Sequence, residues 1–316
     1  MFQGMHYIYE VYKEKSFSKA AKNLYISQPS LSAAVKKTEQ RIGAPIFDRS
    51  SNPIQLTDCG KEYINCIEKI MDIQNEFENY MGDLQELRTG SLSIGASNLF
   101  ASYILPSCIS RFTLQFPQIS IHLTEADTPF LTDQLSNGQL DLIIDNEELS
   151  PEIYAKYPLF SDHLLLAVPV KHLPSAQKTP EYFTVPDILQ DRHKSTSYPA
   201  VDLHLFEHAP FLLLRSGNDT RHRADLLCRK QKFTPNVILE LDQQATSYHL
   251  SCYGMGITFV SDILIKKAPP CSDVVFFHLD DSISFRSVCF YRKKGRYVTR
   301  AMEIFLDMAA EILSFS

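Results

Sequence analysis

The chain has 316 residues, of which 44% are hydrophobic and 22% charged, with a formal net charge of −6. That is the make-up of a globular protein of about two domains. The start lacks the run of about 7–15 apolar residues of a secretory signal, and no apolar stretch of about 18 or more follows, so the expectation is a cytoplasmic chain that does not span a membrane. Seven cysteines (Cys59, Cys66, Cys108, Cys228, Cys252, Cys271, Cys289) include no C-x-x-C pair, which argues against a disulfide framework or a zinc ribbon. No cofactor is expected. Residues 1–65 hold nine Lys/Arg against six Asp/Glu, so a head of +3 precedes a body of −9. A basic head on an acidic body suits a local contact with a polyanion.

The first patterned stretch, SFSKAAKNLYISQPSLSAAVKKTEQRI, covers residues 16–42. Ser18 is expected to cap a helix over Lys19–Tyr25, with Ala20, Ala21 and Leu24 facing inward. Ser27 caps the next, Pro29 sits in its first turn, and Leu31, Val35 and Ile42 are buried. So short a connection forces a steep crossing, the helix-turn-helix arrangement. Gln28, Ser30 and Ser32 could then exchange hydrogen bonds with base edges, and Lys36 and Lys37 would meet phosphates. A small helical bundle with a solvated lysine face fits the same spacing.

The following segment separates the two readings. Pro45–Arg49 and Ile54–Leu56 flank a Ser-Ser-Asn-Pro turn, a hairpin that reads as a wing with Arg49 aimed at a phosphate. Thr57 then caps a long helix to about Arg88. Tyr63, Ile67, Ile70, Gln74, Phe77, Met81 and Leu84 form a seam along it, and a twin copy would fit against that seam.

These first 90 residues resemble the LysR-type transcriptional regulators. The shared pattern reads here as Ser16, Phe17, Ala20, Ala21, Leu24, Ser27, Gln28, Pro29, Leu31, Ser32, Val35, Thr38, Glu39, Ile42, Gly43, Ile46, Phe47 and Arg49, continued by Leu56, Thr57 and Gly60. The resemblance implies that Ser27, Gln28, Pro29, Ser30, Ser32 and Lys36 lie at the DNA groove. Its partners would be double-stranded DNA, a small-molecule effector, a dimer or tetramer of the chain itself, and RNA polymerase. The sequence departs from the family at Ala33, Asn52 and Gln55, where basic or longer side chains are usual, which implies a shallower salt dependence. Lys15 stands at a turn position usually held by glycine, where φ would be strained.

From Leu92 onward strands alternate with helices, the texture of doubly wound α/β sheets. Strands are expected near 92–96, 119–125, 140–145, 164–168, 211–215, 237–241, 256–261, 274–279 and 288–291. The fold class is α/β, behind an all-α-plus-wing head. The resemblance implies a winged helix-turn-helix over 1–60, a linker helix over 57–88 and a two-lobed, periplasmic-binding-protein-like sensor over 91–316. Lobe I would hold 91–165 and 266–316, and lobe II 166–265.

In such sheets ligands sit beyond the carboxyl ends of strands, where helix N-termini offer free N–H groups. The candidates there are Ser97, Asn98, Thr128, Pro129 and Asp145 in one lobe. The other offers Arg215, Ser216, Asn218, Thr220 and Gln244, with Met255 and Thr258 in a G-x-G-I turn. Hydroxyls, amides and an arginine suggest a small ligand bearing a carboxylate. Two further motifs belong to surface or core. His204, Glu207 and His208 form an H-x-x-E-H string, but it stands in a loop-like segment without a third ligand. Cys228 and Cys252 read as packed thiols rather than a redox pair. An alternative remains: an α/β enzyme or solute-binding protein with an unrelated helical head. That reading requires a catalytic constellation or an export signal, and neither is found.

Overall fold

The computed structural model describes residues 2, 4–50, 53–84, 90–175, 180–195 and 198–314. The chain divides into two compact units, residues 1–80 with 137–139 and residues 81–136 with 140–316.

The head begins with α1 (Met5–Glu14), followed by α2 (Phe17–Asn23) and α3 (Gln28–Ile42). Ser16, not Ser18, caps α2, accepting from the Lys19 N–H at 3.4 Å. The helix starts early because Phe17 is drawn into the core, edge-on to Phe47 at 5.8 Å. Ala20 and Ala21 are buried, and their small side chains let α3 cross close by. Ser27 caps α3 through the Ser30 N–H at 3.2 Å, and Gly43 ends it at φ +85°. Lys15 does adopt a left-handed φ of +49°.

The strands β1 (Phe47–Asp48) and β2 (Gln55–Leu56) make the short wing hairpin. Residues 51 and 52 at its tip, Asn52 among them, lie outside the described residues. Next, α4 (Asp58–Leu84) is capped by Thr57, whose Oγ1 accepts from the Gly60 N–H at 2.9 Å. Gly60 has no alternative: a Cβ there would lie 2.0 Å from the Ile46 carbonyl oxygen. Tyr63, Ile64 and Ile67 are buried in the head core, so the first half of the expected seam serves the head itself. Met71, Ile73 and Phe77 beyond it are exposed. The side chains of Met81 and Leu84, and residues 85–89, are outside the described set.

The second unit runs β3 (Gly90–Ala96), α5 (Asn98–Tyr103), α6 (Leu105–Gln115), β4 (Ile119–Glu125), α7 (Thr128–Ser136), β5 (Leu142–Asp145) and β6 (Tyr154–Pro169). It continues α8 (Val185–Leu189), β7 (Pro210–Leu214), α9 (Asp219–Lys230), β8 (Asn236–Leu241), α10 (Gln244–Cys252), β9 (Ile257–Ser261) and α11 (Asp262–Lys267). The remainder is β10 (Val274–Phe277), α12 (Asp281–Ser284), β11 (Phe285–Lys293) and α13 (Arg300–Ser314). The strands form the order β4-β3-β5-β11-β6-β9-β7-β8, with β10 also on β6.

The 16-residue β6 is the seam between lobes. Residues 154–163 pair antiparallel with β11, and residues 164–169 pair with β9 and β10. The sequence showed only its apolar second half, because Lys156, Pro158, Ser161 and Asp162 break the pattern of the first. Pro158, which has no N–H, sits at the register shift opposite Cys289. The lobe boundary is also corrected. Strand β10 pairs with residues 166–169, so residues 266–284 stay with lobe II and the chain returns to lobe I only at β11. Separate cores lie on either side: Phe100, Phe112, Phe290 and Phe305 in lobe I, Phe206, Phe211, Phe259 and Phe277 in lobe II.

Candidate functional site

In the head, the exposed residues at the start of α3 are Ser27, Gln28, Pro29 and Ser30, and Lys36 and Lys37 are exposed further along the helix. Leu31, Val35 and Thr38 fix the opposite face in the core. Ser27 and Ser30 share a hydroxyl hydrogen bond of 2.7 Å, which leaves the Gln28 carboxamide as the longest polar group of that turn. Arg49 lies back on the head: it pairs with Glu39 at 3.2 Å, donates to the half-buried Ser32 at 3.4 Å and covers the Phe17 ring at 5.0 Å. Glu39 meanwhile accepts from the Ile46 and Phe47 N–H groups at 2.9 and 3.3 Å, locking the wing to α3.

In the second unit a cavity of about 250 Å³ opens where the two lobes meet. Ser97, Asn98, Thr128 and Asp145 line it from lobe I, and Arg215, Ser216, Asn218, Thr220 and Gln244 from lobe II. Each of these positions stands at or just after a strand end or opens a helix, as the α/β topology demands. Asp145, ending β5, accepts from Thr128 Oγ1 at 2.8 Å and from the Asn146 and Glu147 N–H groups at 2.7 and 2.9 Å. Burial nevertheless pushes its carboxyl up to about 6. Across the cleft Asn218 caps α9 through the Thr220 N–H at 2.9 Å. Gln244 donates to Thr220 Oγ1 at 3.0 Å and accepts from the Ser261 N–H at 3.1 Å.

Behind these groups lies Arg286 of β11, fully buried. It donates to Asp219 and to Thr220 Oγ1, both at 3.0 Å, and is paired with the equally buried Asp162 of β6. With its carboxamide oxygen turned inward, Asn146 accepts from the same guanidinium at 3.2 Å. One arginine of β11 thus holds together side chains of β6, of α9 and of the segment after β5, from both lobes.

Residues 2–61 match the family described as bacterial regulatory helix-turn-helix protein, lysR family, and residues 85–314 match the LysR substrate binding domain. The chain belongs to the LysR family of transcriptional regulators. It is 28% identical to the HTH-type transcriptional regulator YcgK of Bacillus subtilis, over 98% of this chain and 94% of that one. It is 30% identical to a probable RuBisCO transcriptional regulator of Trichormus variabilis, over 92% and 82% of the two chains. In fold it is similar to a variant of full-length OxyR from Pseudomonas aeruginosa, at TM-score 0.66 and 23% identity, over 96% and 92%. Full-length CbnR complexed with its target DNA gives TM-score 0.65 at 15% identity, over 98% and 99%.

This LysR-type regulator therefore carries a DNA-binding head and an effector-binding domain. Of the cleft residues expected from sequence, Pro129, Met255 and Thr258 do not line the cavity. Thr258 is buried instead, donating to the Leu212 carbonyl at 2.9 Å and sharing a hydrogen bond with Ser247 at 2.8 Å. Its strand turns that side chain toward α10, away from the cleft. The lining also includes Asn146 and Asp219, neighbours of the expected residues at the same strand ends, and Asp127, Asp242 and Arg286, which the sequence did not single out. Arg286 had a visible signal: it interrupts the otherwise weakly polar run SISFRSVCFY, where a lone charge demands a buried partner.

The H-x-x-E-H string does not converge on a metal. His204 shares a hydrogen bond with the Gln231 carbonyl at 2.9 Å, whereas the His208 side chain is 94% exposed beside Glu207. Cys228 is packed in the lobe II core, apart from Cys252, whose neighbours are Tyr248 and Cys271. Burial and the Cys271 thiol push Cys252 up to about 12.

Proposed function

We propose that the regulator reads two half-sites of duplex DNA as a homodimer and that a small polar molecule in the inter-lobe cleft sets its activity. Gln28 reads a base edge, Ser27, Pro29, Ser30 and Ser32 position the turn, and Lys36 and Lys37 meet phosphates. Arg49 leaves Glu39 for a phosphate on binding. The dimer forms along the exposed part of α4 around Ile73 and Phe77, and it acts in the cytoplasm without catalysing turnover of its ligand. Contact with RNA polymerase and pairing of dimers into tetramers extend the same reading. The observation that carries it is the exposed Ser-Gln-Pro turn beside a wing pinned by Glu39.

Selection of bound genomic fragments followed by footprinting tests this. The protected region should cover two half-sites about one or two helical turns apart. Gln28→Ala should weaken specific binding about 5–150-fold, the equivalent of about 1–3 kcal/mol, with little change on random DNA. A single unpaired footprint, or specific affinity indifferent to Gln28, would reject the reading.

For the ligand, charge now decides more than side-chain inventory. Arg215 is engaged by Asp242 at 2.9 Å and Arg286 by Asp162 and Asp219. Four aspartates against two paired arginines line the cavity, so the carboxylate ligand expected from sequence loses its main support. We infer a neutral or zwitterionic molecule of several hydroxyl or amino groups, which can donate to Asp145 and Asp127 and accept from main-chain N–H groups. Melting-temperature shifts across a metabolite panel should favour polyols and amino acids, recovered unchanged. A panel in which only dianionic carboxylates stabilise the protein would reverse this.

A further inference from the structure

We propose that His163, His193 and Asp262 form a divalent transition-metal site at the hinge between the two lobes. One donor atom from each lies within 4.8 Å of the other two. His193 Nε2 is 2.8 Å from Asp262 Oδ2, and His163 Nδ1 is 3.9 Å from the same oxygen. Two ligands about 2.1 Å from a tetrahedral cation stand about 3.4 Å apart, and the observed distances bracket that value. For these two pairs, closing on an ion would change the separations by about half an ångström.

As a hydrogen-bond cluster the set is incomplete. His193 bonds Asp262 only through Nε2, its Nδ1 being without a partner, and His163 Nδ1, shielded from solvent, has no hydrogen-bond partner either. An unmade bond of that kind is costly in the interior. A cation between the three would use it. The carboxylate is already aimed: its Oδ1 accepts from the His163 main-chain N–H at 3.1 Å, which leaves Oδ2 facing the rings. The side chains of His193 and Asp262 are 0% and 1% exposed.

The donor set selects the ion. Two imidazoles and one carboxylate suit zinc and its first-row neighbours, not calcium or magnesium, which take oxygen ligands. Of the three, Asp262 lines a separate cavity of about 290 Å³, together with Ser161, Asp191, Lys194 and Lys266.

Lys266 makes the site responsive rather than permanent. Its Nζ is 3.6 Å from Asp262 Oδ2 and 2.6 Å from Asp191 Oδ1. The ammonium therefore competes for the ligating oxygen when no ion is bound, and retires to Asp191 when one is. Location gives the site its consequence. His163 is the last residue of β6 paired with β11, and Leu164 the first paired with β9. Asp162, one residue earlier, holds Arg286 of the cleft. An ion fixing His163 to Asp262 would fix the angle between lobes and the position of that arginine. The site stands independently of the ligand chosen for the cleft.

The test uses the full-length protein stripped with a chelator, then titrated with Co²⁺ and with Zn²⁺ in competition. One equivalent of Co²⁺ should bind with visible ligand-field bands and no thiolate charge-transfer band. His163→Gln should weaken Zn²⁺ binding at least about tenfold, and so should His193→Gln. Lys266→Gln should tighten it about tenfold, by removing the competing charge. His163 and Lys266 are each partly exposed, so these two variants decide the matter if His193→Gln fails to fold. Absence of a bound equivalent in the wild type, a thiolate band, or affinity unmoved by His163→Gln would overturn the proposal.

Discussion

Arg286→Leu should cost the effector-binding domain about 3–5 kcal/mol of stability at pH 8, because it strands a buried carboxylate. Asp162 is 0% exposed and faces Arg286, which is 1% exposed. Burial pushes the Asp162 carboxyl up, and the guanidinium pulls it back. Without Arg286 the upward push of burial and of the neighbouring Asp262 carboxylate is opposed only by the Ser261 hydroxyl. The folded variant then binds a proton more tightly than the unfolded chain does, so its deficit is smallest in acid. The deficit grows as the pH rises through the raised folded pKa. Asp219 suffers less, since Arg223 stays beside it at 2.9 Å. Adding Asp162→Asn to Arg286→Leu should return part of the loss, because no buried charge is left. Urea unfolding at pH 5 and pH 8 measures both. Equal stability of variant and wild type at pH 8 would mean that the buried ion cluster is not formed.

The second large effect has the opposite sign. Asp145→Asn should stabilise the protein at pH 8 by up to about 3 kcal/mol, which is about two pKa units at about 1.4 kcal/mol each. Burial holds the Asp145 carboxyl at about 6 in the folded chain, above its ordinary 3.8. A raised folded pKa means a contribution that is complete below about pH 4 and lost as the pH climbs through about 6. The wild type should therefore weaken across that window, and Asp145→Asn should weaken less. Asparagine keeps the geometry: its oxygen can accept from the Asn146 and Glu147 N–H groups, and Thr128 can turn its hydroxyl to accept from the new amide. The variant should also bind the cleft ligand more weakly, since a charged acceptor is gone. A destabilised variant with an unchanged pH profile would show instead that three hydrogen bonds keep Asp145 ionised at no cost. The two predictions separate a carboxylate that has a cation from one that has only dipoles.

The head was legible because its signals are local. Serine caps, a proline in the first turn and apolar residues three and four apart act within a few residues of chain, and they fixed α3 and the wing. The one misplaced cap, Ser18 for Ser16, arose because Phe17 is pulled into a core formed partly by Phe47, 30 residues later. The seam on α4 erred the same way: Tyr63 and Ile67 have the spacing of a dimer stripe, but the folded head takes them first.

The sequence by itself determined the order of strands and helices, the strand ends at which cleft residues gather, and the family. Tertiary structure alone decided which charges meet. Asp162, Asp219 and Arg286 are up to 124 positions apart in sequence, and nothing local favours their pairing. They converge because β6 and β11 run side by side at the lobe crossing and α9 begins against them. Periodicity fixes which face of an element is apolar. The partner of a buried charge depends on which elements the sheet makes neighbours, and that is settled only when the chain closes on itself.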